Sequence, residues 1–168
     1  MADEPLSLIV RSHLQFYDGV QAVRSWTEVV NSGGAPRGLE YVSSFALTGV
    51  EKEGLLPFDQ KLALYLPHNG WQKELHWNRY TLAGLGMSVS QPAETMHTSK
   101  YINISNTGNW STKEYLPMGC LYNQETNSSL YWQIEHNGSW HWEIADQDGH
   151  LYLQLSGPTE NQSHWWKN

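Results

Sequence analysis

Five carboxylates stand where acids could pair or meet a ligand: Glu74, Glu135, Glu143, Asp146 and Asp148. A suitable pair would supply general acid and base groups. Glu135 and Glu143 fall on the outward parity of two strand-like segments, the ordinary place for solvated charge. Asp146 and Asp148 belong to a turn. Glu74 lies between Trp71 and Trp77 and is read as a polar contact to a ligand. The eight histidines form no H-x-H and no H-E-x-x-H, so no metal site is predicted. His136, His141 and His150 are scattered around turns. His68 and His76 sit beside Trp71 and Trp77, as ligand contacts or as core hydrogen-bonding groups. Cys120 is the single cysteine; it lies in an apolar strand and reads as a small buried hydrophobe. It allows no internal disulfide and no cysteine-based zinc site. There is no G-x-S-x-G, and Gly84-Leu85-Gly86 lacks the third glycine or the lysine of a phosphate loop. No catalytic residue, metal or cofactor is predicted.

The totals narrow the function classes. The chain has 168 residues, enough for one domain with a sizeable core. Ten Lys and Arg against 17 Asp and Glu give a net charge of −7, and no basic run occurs. That argues against nucleic acid and against an anionic membrane surface as partner. No apolar run is long enough to span a bilayer, and the N-terminus has neither the basic region nor the apolar core of a signal peptide. A cytoplasmic protein is expected. Five N-x-S/T triplets, at Asn103, Asn109, Asn127, Asn137 and Asn161, point toward secretion; turn-rich composition also produces such triplets by chance. Nine Trp and nine Tyr against three Phe is an uneven balance. Their apolar bodies and polar tips suit a β-sheet core, and they also suit stacking on a sugar ring.

The elements that would position these residues are strands. Leu130, Trp132 and Ile134 alternate with polar neighbours. So do Trp140, Trp142 and Ile144, and then Leu151, Leu153 and Leu155. A period of two marks strands with one buried face. Asn137-Gly138 and Asp148-Gly149 suit tight hairpins, so three antiparallel strands in a meander are expected. Such a sheet needs a second layer. Leu6, Leu8, Val10, Leu14 and Phe16 predict a long first strand, turned at Tyr17-Asp18-Gly19. Val20 to Val30 returns with less regular alternation, as expected from partial burial on both faces or a bulge. Leu39, Tyr41, Phe45 and Leu47 predict a third strand ending at Gly49. Leu62, Leu64 and Leu66 predict a fourth, stopped by Pro67. Trp71 to Leu82 reads as a strand, although Trp71, Leu75, Asn78 and Leu82 also fit helical spacing. Met87 to Lys100 reads as a long loop, Tyr101 to Ile104 as a short strand, Ser105 to Lys113 as a turn-rich segment and Met118 to Tyr122 as a strand. The tail ends His164-Trp165-Trp166-Lys167-Asn168. Exposed tandem Trp is a liability, so either the natural chain continues or this pair packs back on the sheets. About nine or ten strands in two packed antiparallel sheets, an all-β sandwich forming a single domain over 1–168, is the expected architecture.

Four segments in order carry a resemblance: DGVQAVRSWTEVVNSG, LEYVSSFALTGV, LPHNGWQKELHWNRYTLAGLGM and MGCLYNQETNSSLYWQIEHNGSWHWEIADQDGHLYLQLSGP. Together they resemble the N-terminal β-supersandwich (galactose-mutarotase-like) domain of glycoside hydrolase family 36, the melibiase-type α-galactosidases. The match runs from about Leu14 to Trp166. It implies a domain placed before a catalytic (β/α)₈ barrel, in a retaining hydrolase of terminal α-galactosides such as melibiose and raffinose. The two catalytic Asp would lie on the barrel, so this chain alone would be inactive. The resemblance also implies homo-oligomerisation of the full-length protein, and a Trp of this domain walling the galactose pocket. The family's N-x-W-Q followed by a second W corresponds to Asn69, Trp71, Gln72 and Trp77. The gap between the two Trp is longer here than in the family pattern, so either Trp77 or Trp71 would face the sugar. The substrate-contact set is therefore Trp77, Trp71, Glu74, His68 and Asn69, with core packing the alternative for both Trp. Two readings follow: an accessory and oligomerisation domain that leaves apolar surface uncovered near Trp165 and Trp166, or a free-standing carbohydrate-binding module.

Overall fold

The structure is a computed structural model and describes residues 7–39, 41–89, 100–147 and 149–157. Strands dominate it, in antiparallel sheets stacked as a sandwich. The first sheet is a two-stranded ribbon of β1 (Leu8–Tyr17) and β2 (Val20–Asn31). One four-stranded sheet has the order β3–β10–β9–β6, with β3 at Phe45–Thr48, β6 at Lys100–Asn106, β9 at Trp140–Gln147 and β10 at His150–Ser156. The other has the order β5–β4–β7–β8, with β4 at Leu62–His68, β5 at His76–Thr81, β7 at Met118–Asn123 and β8 at Ser128–Gln133. One helical turn, α1 (Phe58–Lys61), leads into β4. Pro57 precedes it with φ near −55°, already suited to a helix start, and Asp59 lies in its first turn.

The core forms between the two four-stranded sheets. Trp140, Trp142 and Ile144 of β9 are fully buried, as are Leu151 and, nearly so, Leu153 and Leu155 of β10. From the facing layer come Leu62, Leu64 and Leu66 of β4, Leu121 of β7, and Trp132 with Ile134 from β8 and just beyond it. Each such side chain contributes about 1.5–3 kcal/mol by leaving water, which is why parity along these strands is so regular. Trp132 and Trp142 meet edge to face with ring centroids 5.2 Å apart. On β7, Gly119 is the register partner of Trp132. A Cβ there would lie 2.4 Å from Cζ2 of that indole, so the ring lies across the glycine.

Several expectations are corrected. The strands after Leu130 are not a three-stranded meander. β8 pairs with β7, whereas β9 pairs with β10 and β6. The chain crosses from one layer to the other around His136–Ser139, so Asn137-Gly138 is an inter-sheet link and not a hairpin turn. Alternation fixes which face is buried but not which sheet a strand joins; the bulky Trp132 and Trp142 fill the interlayer space from opposite sides. Gly149, with φ +85°, does turn the β9–β10 hairpin. The third strand starts only at Phe45, because the backbone before it is engaged elsewhere. Carbonyls of Ser43 and Ser44 accept hydroxyl hydrogen bonds from Thr27 (2.8 Å) and Ser25 (2.6 Å), and that of Val42 accepts one from Ser156 (2.9 Å). β4 does not stop at Pro67 but continues to His68, paired with His76. β6 extends past Ile104 to Asn106.

The β1–β2 ribbon departs most from expectation. Its strands pair along their length, with an irregularity between Phe16 and Tyr17 near the turn. Yet the apolar parity of β1 faces solvent: Val10 and Leu14 are exposed, and Phe16 is 72% exposed. Among the described residues the ribbon hydrogen-bonds to no third strand. It is tied down by the Ser25 and Thr27 bonds and by an Arg24–Glu135 ion pair of 2.7 Å. Between its apolar face and the 39–46 segment lies an open groove of about 680 Å³, lined in part by Val10, Leu14, Val29, Tyr41 and Phe45. Among the described residues no helix is long and apolar enough to cross a membrane. The tail with Trp165 and Trp166, most of the 87–100 loop, and Asp148 lie outside the described residues.

Candidate functional site

The expected substrate-contact residues gather at one end of the β4–β5 hairpin. β4 ends at His68 and β5 begins at His76, its register partner. Residues 69–75 form the loop between them. Trp71 is therefore a loop residue and not the start of a strand, which removes both the strand and the helix reading for 71–75. The reason is local: Gln72 and Leu75 take left-handed φ values of 58° and 55°. A left-handed residue in a strand-like run breaks its parity, so Trp71, Leu75 and Trp77 share no face.

The loop is braced from below. The amide of Asn69 donates through its backbone N–H to Glu114 O at 2.8 Å and through Nδ2 to Thr112 O at 2.5 Å. Its Oδ1 accepts the N–H of Leu75 at 3.4 Å, closing the loop across its neck. Lys73 N–H donates to Gly70 O at 3.1 Å. His68 shares a 2.8 Å hydrogen bond between Nε2 and the Tyr80 hydroxyl, and its ring lies 4.7 Å from that of Tyr115. Tyr115 is itself held above the usual tyrosine range by burial, helped by the neighbouring Tyr80 and Glu114. His68 and Asn69 thus belong to the loop's support. They are half-buried, and their polar atoms bind the protein itself.

Above this support stands Trp71, 91% exposed. Glu74 is exposed on the same loop. Trp77 is 38% exposed on the outer parity of β5, opposite Pro67. The structure thus brings four of the five residues to the hairpin end in two roles, His68 and Asn69 as braces and Trp71 and Glu74 as presented groups. Trp77 lies one step down the strand. The braced loop therefore presents the Trp71 indole almost wholly to solvent.

The other chemical candidates separate cleanly. Glu135 is solvated and ion-paired with Arg24. Asp146 accepts the Gly149 N–H at 2.7 Å, a turn role. Glu143, expected as solvated charge, is instead half-buried and accepts a 2.8 Å hydrogen bond from the Tyr152 hydroxyl. His141 approaches the same carboxylate at 3.3 Å. Cys120 is half-buried on the outward parity of β7, and burial pushes its thiol up against a weaker opposing bond from Ser129, so it is protonated at neutral pH and no nucleophile. His150 meets Glu51 at 3.1 Å. Among the described residues no three or more His, Cys, Asp or Glu converge on a point where a metal could sit.

Comparison with known proteins gives no family model that matches the chain, and no curated protein that matches it.

Proposed function

We propose that the chain is the non-catalytic N-terminal β-sandwich domain of a retaining α-galactosidase acting on terminal α-D-galactosides of the melibiose and raffinose type. It contributes a wall of the substrate pocket and a surface for oligomerisation, while a (β/α)₈ barrel elsewhere in the full-length protein carries the catalytic carboxylates. The observation that carries the reading is Trp71, 91% exposed on a loop braced through Asn69 and His68. An indole face offered in this way suits the apolar C–H face of a galactose ring, whose hydroxyls would be held from other sides. Trp71 is accordingly the wall residue, with Trp77 behind it on β5 and Glu74 as a polar contact. The β1–β2 ribbon supports the oligomerisation part, since Val10, Leu14 and Phe16 are exposed apolar side chains that a second subunit could cover.

The test is hydrolysis of 4-nitrophenyl α-D-galactopyranoside by the protein made from its longer natural reading frame, against the 168-residue chain. Hydrolysis by the longer protein only is expected, with Trp71→Ala raising KM about ten-fold, the scale of one lost apolar sugar contact. A reading frame that ends at Asn168, or a longer protein without α-galactoside hydrolysis, overturns the proposal. Silence of Trp71→Ala beside a strong Trp77→Ala effect would move the wall to Trp77.

A further inference from the structure

The outer face of the β3–β10–β9–β6 sheet, on the far side of the core from the Trp71 loop's sheet, carries a feature of its own. On β9 the outward residues are His141, Glu143 and Ala145. Strand register sets Asn103 of β6 and Gln154 of β10 on either side of Glu143. It sets Tyr101 of β6 and Tyr152 of β10 on either side of Ala145. Ala145, 4% exposed, forms the low floor of that row between the two larger tyrosine side chains. The result is a trough of about 210 Å³, lined by Tyr101, Asn103, His141, Glu143, Ala145 and Tyr152 among others, with no Lys or Arg among its lining residues.

The groups in the trough are not arranged like a solvated sheet face. The Glu143 and His141 side chains are only 21% and 12% exposed. One Glu143 oxygen accepts the Tyr152 hydroxyl at 2.8 Å, and the other lies 3.3 Å from His141 Nε2. Tyr152 is a fixed donor at neutral pH. Burial first, and then its bond to Glu143, push its hydroxyl up to about 12. The carboxylate is thereby locked in orientation, and each oxygen keeps a second lone pair. Two acceptors therefore sit side by side, with no Lys or Arg lining the site. Asn103 adds an amide able to donate and accept. Tyr101, in contrast to its neighbours, is 59% exposed and offers a flat ring at the rim.

A ligand that fits must be uncharged or at least not anionic, must donate two adjacent hydrogen bonds, and must have an apolar face beside its hydroxyls. A pyranose ring has these three properties together. We propose that this trough binds a single neutral hexopyranose, with Glu143 accepting two vicinal hydroxyls and Tyr101 stacking on the C–H face of the ring. The site is separate from the Trp71 loop and does not depend on the α-galactosidase reading.

The test is titration of the 168-residue protein with methyl α-D-galactopyranoside and with methyl α-D-glucopyranoside, followed by amide chemical shifts. Saturable shifts on β6, β9 and β10 are expected with at least one of the two glycosides. Tyr101→Ala and Glu143→Gln should each weaken binding about ten-fold, the loss expected when a buried charge-assisted hydrogen bond or its stacking partner goes. Tyr131→Ala, which removes an exposed tyrosine from the outer face of β8, should leave binding unchanged. D-Glucuronate should bind at least about five-fold more weakly than the neutral glycosides, because its carboxylate faces that of Glu143. Absence of saturable shifts with both glycosides overturns the site. So does binding that survives Tyr101→Ala, binding lost equally in Tyr131→Ala, or glucuronate bound as well as the neutral sugars. Hydrolysis by the longer protein is decided by a different assay, so failure here and failure of the α-galactosidase reading are told apart.

Discussion

Gly119 sits under the indole of Trp132, and replacing it with alanine should destabilise the sandwich by about 2 kcal/mol. The new Cβ would lie 2.4 Å from Cζ2, 2.8 Å from Cε2 and 3.1 Å from Cη2 of that ring. Carbon atoms rest about 3.5–4.0 Å apart, so the indole must retreat by more than about 1 Å. Behind it stands Trp142, fully buried, with its centroid 5.2 Å away. A core packed to crystal density has no room for that retreat. Overpacking of this kind costs roughly 1–3 kcal/mol, and the absence of slack places the cost near the top. Alanine also restricts the unfolded chain, which returns about 0.4–1 kcal/mol. The net of about 2 kcal/mol corresponds to a fall in Tm of roughly 4–8 °C for a domain of this size. Urea unfolding followed by tryptophan fluorescence measures it. The same substitution in a Trp132→Phe background is the decisive comparison, because phenylalanine does not carry the distal ring atoms that meet the new methyl. There Gly119→Ala should cost close to nothing. An equal cost in both backgrounds refutes the steric account.

Two further outcomes follow from local geometry. Tyr152 keeps its proton up to about 12 in the folded protein, against an ordinary value of 10.0. The unfolded chain loses the proton first, so the stability this group contributes is present below pH 10 and is lost as pH rises from about 10 to 12. Tyr152→Phe should flatten that part of the alkaline limb in urea midpoints measured across the range, and an unchanged limb would show that the hydroxyl is free. Leu75 holds a left-handed φ of 55°, a conformation that costs a branched residue about 1 kcal/mol. Leu75→Gly should raise unfolding stability by about 0.5 kcal/mol despite the added freedom of the unfolded chain, and a fall in the urea midpoint would show that the Leu75 side chain matters more than its backbone.

The strands were legible because burial imposes parity. Leu151, Leu153 and Leu155 alternate since only one face of β10 meets the core, and the same holds for β9 and β4. Parity is silent on the partner of a strand, which is why β8 and β9 could be placed side by side when they belong to opposite layers. It is silent also on how closely an apolar face is covered, and the ribbon face bearing Val10 and Leu14 meets the 39–46 segment only across an open groove. The hairpin end at Asn69–Leu75 was legible as a residue set but not as a geometry. The two left-handed residues that set Trp71 outward are Gln and Leu, types that give no turn signal. Glu143 was passed over because outward parity usually means solvent. What encloses it is lateral: His141 two residues back on the same strand, and Tyr152 from β10, which strand pairing alone brings alongside. The one sequence-level hint was Ala145, a small residue among large ones on the outer face.

The strand order has a consequence for the order in which the domain can be made. β9 and β10 occupy the two central places of their sheet, yet among the described residues they are the last two strands in sequence. β3, at Phe45–Thr48, has no partner until Tyr152–Leu155 has been synthesised, and β6 likewise waits for β9. The β5–β4–β7–β8 sheet is complete by Gln133, with Leu62, Leu64, Leu121 and Trp132 turned toward a layer that does not yet exist. On the ribosome that half must emerge with its apolar face open, held for the time that about twenty more residues take to be added and clear the exit tunnel, roughly one to four seconds for the additions alone. Closing the sandwich is then a late, long-range event, slow by the measure of contact separation. Chaperone dependence during synthesis, and truncations ending before β9 that aggregate while those ending after β10 do not, are the behaviour this order of strands dictates.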